Sequence, residues 1–183
     1  MFILFANVFV YSQEEKDTIF LSEFEVTSKP KFEDQMSKGH YGWLEKKVKN
    51  AYPIFSMMHK DYLEFNLSLD SLKTKRQKKA FINQKHKEFD LKYRKILMNL
   101  TQTEGRILCK MIHRYTEKTP FQIIKELKGP VFANFINMQT FVVSINLNEP
   151  YEPDERREDS YIEIILKRSF SDGTLIDVDK NLE

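Results

Sequence analysis

The sequence predicts an all-α fold: a single compact domain of five or six helices, including an antiparallel helical hairpin, with an extended N-terminal arm. Three observations predict it. Apolar residues recur at steps of three and four over several long stretches, the period of a helix face. Capping boxes, a threonine followed three residues on by Gln or Glu, stand at Thr74/Gln77 and Thr101/Glu104. Only five glycines and six prolines occur in 183 residues, too few turn formers for many short strands.

The length suits one domain, and 41% hydrophobic with 13% aromatic residues is enough to bury a core. The net charge of +2 conceals an uneven distribution. Residues 1–148 hold 24 basic and 16 acidic side chains, whereas residues 149–183 hold 5 basic and 11 acidic ones. An acidic C-terminal part beside a basic body is expected to fold over that body; the other outlet is a basic partner. The single cysteine, Cys109, excludes an internal disulfide and flanks an apolar stripe, where an inert buried thiol is expected.

Residues 1–12, MFILFANVFVYS, form an apolar run with small residues before Gln13, and the chain turns charged at once. This reads as the remnant of a signal peptide without its basic leader, and a dozen residues are too few to span a bilayer, which needs about 20. Residues 13–39 read as an arm and linker. Within them DTIFLSEFEVTS (17–28) alternates apolar and polar residues like a strand, a lone strand available to another chain. That stretch also resembles the short segment near the mature N-terminus of TonB-dependent outer-membrane receptors, where acidic residues precede a Val-Thr pair. The resemblance implies a docking strand.

The helical domain is expected over residues 40–170. Leu44, Val48, Tyr52, Phe55, Met58, Tyr62, Phe65, Leu69 and Leu72 describe one long amphipathic helix, with a kink or break near Tyr52 because Pro53 follows. Thr74/Gln77 starts the next, whose stripe runs through Ile82, His86, Phe89, Tyr93, Ile96 and Leu97; the short link near Lys73 makes the two a hairpin. Thr101/Glu104 starts a third, with Ile107, Leu108, Met111 and Ile112 facing a core and Arg106, Lys110, His113 and Arg114 facing water. Thr119 and Pro120 start a short fourth helix, stopped by Gly129-Pro130. VFANFINMQTFVVSINL (131–147) reads as an enclosed helix, Asn148 to Pro153 as a loop, and Asp154 to Phe170 as a last helix. Asp172-Gly173 then turns into a loose acidic tail over 171–183.

Three residue sets carry possible chemistry. His59 and His86 lie nearly equidistant from the hairpin turn and are the only metal-ligand candidates, but no His-Glu-x-x-His or Glu-x-x-His pattern accompanies them. Lys75, Arg76, Lys78, Lys79 and Lys85 make the second helix a basic surface suited to a polyanion. Glu104, Arg106, Lys110, His113, Arg114 and Glu126 are charged groups on adjacent helices that a catalytic pocket would have to gather. No catalytic triad, phosphate loop, cofactor fingerprint or cysteine-rich metal motif is present, and no cofactor is implied.

Ala51-Tyr52-Pro53, Gly105-Arg106-Ile107-Leu108 with Lys110, Ile112 and Arg114, Ile124-Lys125-Glu126-Leu127-Lys128-Gly129, Asn146-Leu147, and Tyr151 two before Pro153 follow one another in a recognisable order and spacing. From Tyr41 to Leu166 the chain resembles a domain of unknown function found in Bacteroidetes envelope proteins. Members typically carry a signal peptide and have no established reaction, so the resemblance implies a place and a fold. The chain departs from the pattern at His113, usually acidic, at Glu104, often glutamine, and at Ser144, commonly glycine.

Function is therefore expected to be that of an exported, periplasmic, non-enzymatic envelope or accessory protein. Its expected partner is another envelope protein, with an anionic polymer or lipid surface as the alternative on the basic helix; no specific nucleic acid is expected. An enzyme acting through the charged helices is the competing expectation, and burial of those charges in a concave pocket would favour it.

Overall fold

The computed structural model describes residue 32, residues 35–126 and residues 145–179. Among these residues are five helices and no strand: α1 (Gln35–Ser71), α2 (Lys75–Met98), α3 (Gln102–Thr116), α4 (Pro120–Glu126) and α5 (Arg157–Ser171). The all-α expectation holds. The expected leader, the strand-like arm, the Gly129-Pro130 stop and the helix expected over 131–147, as far as residue 144, lie outside the described residues.

α1 is the hub. Its 37 residues extend about 55 Å, and α2, α3 and α5 all pack on it. Leu44, Val48, Ala51 and Phe55 on α1 meet Ile107, Leu108 and Met111 on α3 and Ile162, Ile165 and Leu166 on α5 in one buried layer. Burying each such side chain contributes about 1.5–3 kcal/mol, so this layer outweighs the helix caps, at about 1 kcal/mol each.

Two expectations about α1 are corrected. The helix starts at Gln35, so residues 35–39 of the expected linker are helical. It also continues through Pro53, so of the kink or break expected near Tyr52 the break does not occur. Pro53 is exposed while Ala51, Tyr52 and Phe55 are buried. The apolar face thus stays seated across the proline, and that burial outweighs the roughly 3 kcal/mol cost of one interior proline.

The capping boxes appear as expected. Thr74 and Gln77 bond reciprocally at the start of α2, and Thr101 and Glu104 do so at α3. Thr119 and Gln122 repeat the pattern at α4, where Gln122 donates to the Thr119 hydroxyl at 3.3 Å and accepts the Thr119 amide at 2.8 Å. Only Tyr93 and Leu97, near its C-terminus, are buried on α2. Among the described residues the two helices meet through the Phe65/Phe81 stack at 5.5 Å towards the tip and through the bond from the Tyr93 hydroxyl to Asp61 at 2.9 Å nearer the root.

The C-terminal part is also more ordered in its contacts than a loose tail. α5 starts at Arg157, after a turn in which the Arg156 amide donates to the Glu152 carbonyl, and ends at Asp172-Gly173, where Gly173 takes a φ of 73° that favours glycine. Beyond it the Tyr52 hydroxyl donates to the Ile176 carbonyl at 2.8 Å and accepts the Val178 amide at 3.3 Å. Residues 172–179 are thereby held against α1.

Candidate functional site

The basic residues of α3 do not face water. Arg106, Lys110 and Arg114 recur every four residues and form a row along one face of the helix. α5 and the loop before it lie over that row with an acidic residue for each. Arg106 Nη2 donates to Glu158 at 2.9 Å. Lys110, only 2% exposed, sits 2.6 Å from Asp159 and 3.1 Å from Glu149. Arg114 grips Glu163 with two parallel bonds of 2.7 and 2.9 Å, the geometry that suits guanidinium to carboxylate.

Asp159 is fully buried. One oxygen accepts the Glu152 amide at 3.0 Å; the other makes no directional hydrogen bond, and its charge is met by the Lys110 ammonium. Glu149 also receives Arg156 at 2.9 Å. The Tyr151 hydroxyl donates to Glu163 at 2.8 Å; burial, reinforced by the Glu163 charge, pushes its phenol well above the usual range, so it serves as a neutral donor. His113 Nδ1 accepts the Tyr151 amide at 3.3 Å.

Glu104 belongs to the helix start. Its burial raises the carboxyl, but the bonds from the Thr101 amide and hydroxyl, from Asn50 and from Lys47 outweigh that and bring it down to about 2. Glu126 is remote from the row and pairs with exposed Lys118 at 2.7 Å. The catalytic candidates therefore do not converge: Arg106, Lys110 and Arg114 form a ladder of ion pairs, Glu104 caps and Glu126 stands apart. Cys109 is buried, its thiol pushed up to about 12 by burial first and by the Glu149 charge second.

His59 and His86 do come together. Both line an apolar cleft of about 150 Å³ at the root of the hairpin, with Phe55, Phe89, Ile123 and Ile124 among its walls. His59 lies 5.4 Å from both the Phe55 and Tyr115 rings. Burial lowers both imidazoles, and among the described residues no cluster of three or more His, Cys, Asp or Glu could hold a metal.

The surface of α2 is the opposite of α3. Lys85 pairs with Glu88 at 2.8 Å, but among the described residues Lys75, Arg76, Lys78 and Lys79 have no carboxylate partner. These four occupy the beginning of α2, which has no acidic residue in its first turn. There the helix dipole is itself positive, so each cation is unfavourable by about 0.3–1 kcal/mol and the local potential is strongly attractive to anions.

A family described as Domain of unknown function (DUF4294) matches residues 15–168. The chain belongs to this family. The matched span takes in the acidic part of the arm, the hairpin and the α3–α5 ladder, and reaches further towards the N-terminus than the resemblance from Tyr41. No curated protein and no solved structure matches the chain.

Proposed function

We propose that this DUF4294 chain is a non-enzymatic interaction protein of the bacterial cell envelope, exported and periplasmic, whose α1–α2 hairpin binds an anionic polymer. The observation that carries the contact surface is the contrast between the two basic helices. The cations of α3 are each matched by a carboxylate of α5 or its preceding loop, whereas among the described residues the four at the beginning of α2, all but half-buried Lys78 exposed, have no carboxylate partner. The envelope setting is supported by the leader-like run 1–12 and by the resemblance to Bacteroidetes envelope proteins. Among the described residues no helix is long and apolar enough to cross a membrane. A catalytic role has less support, because the charged candidates are bound to one another across a helix seam.

The test is binding of inorganic polyphosphate over a range of salt concentrations. Binding is expected to weaken steeply with salt, and replacing Lys75, Arg76, Lys78 and Lys79 by Gln should shallow the log–log slope by about three to four. Absent binding, or binding indifferent to those substitutions, overturns the polymer reading. N-terminal sequencing of the chain from a bacterial envelope fraction tests export, with cleavage expected near Gln13 and an intact Met1 in the cytoplasm against it.

A further inference from the structure

The chain neutralises α3 with its own acidic residues, and its N-terminal arm has the composition to do the same for α2. α2 carries nine basic and two acidic side chains. Residues 14–26, EEKDTIFLSEFEV, carry five acidic and one basic, with Ile19, Leu21, Phe24 and Val26 between them. Along the hairpin the structure provides an apolar seat: a groove of about 350 Å³ between α1 and α2, floored by Met58, Phe65, Ile82 and Phe89, its rim carrying Asp61, Glu64 and Glu88 as well as Lys85 and Lys92. Those two lysines pair within the hairpin, with Glu88 and Asp61; the unmatched cations stand at the tip.

The reach fits. Phe32 is fixed at the body end of α1, 5.2 Å from the Tyr41 ring and 6.3 Å from that of Tyr161. An extended chain advances about 3.3 Å per residue, so Ile19 lies up to about 43 Å from Phe32 and Glu14 up to about 59 Å. At about 1.5 Å per residue along α1, Met58 lies about 35 Å and Phe65 about 45 Å from Gln35. An arm returning along α1 therefore brings Ile19 and Leu21 over the groove floor and Glu14, Glu15 and Asp17 to the basic tip. All five acids lie beyond the expected cleavage point, so the processed chain keeps them.

We infer that residues 14–26 dock in cis along the α1–α2 hairpin, with Glu14, Glu15 and Asp17 on the cations at the beginning of α2, and so compete with an anionic polymer for that surface. The competition rests on the binding reading above; the docking does not. The experiment compares the full chain with a variant in which Glu14, Glu15, Asp17, Glu23 and Glu25 become Gln or Asn, at low salt and several protein concentrations. Amide hydrogen exchange across α2 and residues 58–71 reads docking directly, and inorganic polyphosphate affinity reads competition. Exchange in the hairpin is expected to quicken in the variant independently of concentration, and polyphosphate to bind it about tenfold more tightly, since a tethered competitor acts at a high effective concentration. Faster exchange without polyphosphate binding by either protein would keep the docking and overturn the polymer reading. Unchanged exchange, or protection that grows with concentration as a second copy's arm would cause, overturns the cis docking.

Discussion

α2 and α3 are both amphipathic, basic and started by a capping box, yet they do opposite things with their charge. α3 lies between the hub helix and α5, so Lys110 is desolvated, Arg106 and Arg114 are half-buried, and each is met by a carboxylate 39 to 52 residues away in sequence. α2 is buried only at Tyr93 and Leu97, near its C-terminus, and among the described residues the cations at its beginning have no carboxylate partner. The same residue types are structural in one helix and available in the other; the difference is what packs over them.

That comparison is broken most severely at Lys110. Replacing it by Ala leaves Asp159 buried without its ammonium, and unfolding in denaturant is expected to show a loss of about 3–5 kcal/mol. Lys110→Met with Asp159→Leu should recover much of that, because removing both charges removes the penalty. A single substitution costing under about 1 kcal/mol would mean the seam is not desolvated.

Glu104 sharpens the comparison through pH. Its folded pKa of about 2 lies below the usual value of 4.5, so its contribution is fully present above about pH 4.5 and is lost as pH falls from there towards 2. Glu104→Gln is expected to cost about 1–2 kcal/mol near neutrality and to flatten the acid limb of a stability-versus-pH curve in that window. An unchanged limb would assign acid sensitivity to carboxylates other than Glu104.

At the beginning of α2 the sign reverses. Substituting Lys75 or Arg76 by Gln removes a cation from the positive end of a helix dipole and should raise stability by a few tenths of a kcal/mol, about 0.3 at low salt and less at high salt. A thermal melt that moves downwards would show that these cations have partners. The smallest effect is at Cys109: with its thiol pushed up to about 12 and its side chain buried, no labelling by a disulfide reagent is expected at pH 8 in the folded protein, with full labelling in denaturant. Rapid native labelling would contradict the burial.

Local signals were legible where a few neighbouring residues suffice. The threonine boxes, the Pro120 start and the Asp172-Gly173 stop all act within one helical turn. The apolar core residues of α1 and α3 followed from spacing alone, whereas α5 buries Ile162, Ile165 and Leu166, a face that spacing did not single out. The continuity of α1 through Pro53 was not legible, because local preference argues for a break and only burial of the residues on either side argues against it. The ladder had a partial signal in the four-residue spacing of Arg106, Lys110 and Arg114 and in the acidic excess after residue 148. What was missing was the pairing of one with the other across the intervening chain.

By itself, the sequence determined the all-α class, the hairpin, the caps, the family and the burial of Cys109. Each rests on interactions between near neighbours or on composition, which a linear chain displays. Only the tertiary structure decided that α1 is the hub, that Lys110 is buried, that His59 and His86 share one cleft, and that the cations at the beginning of α2 are left over. A charge acquires its role from the dielectric and the partners around it, and those are set by which distant segment packs over it.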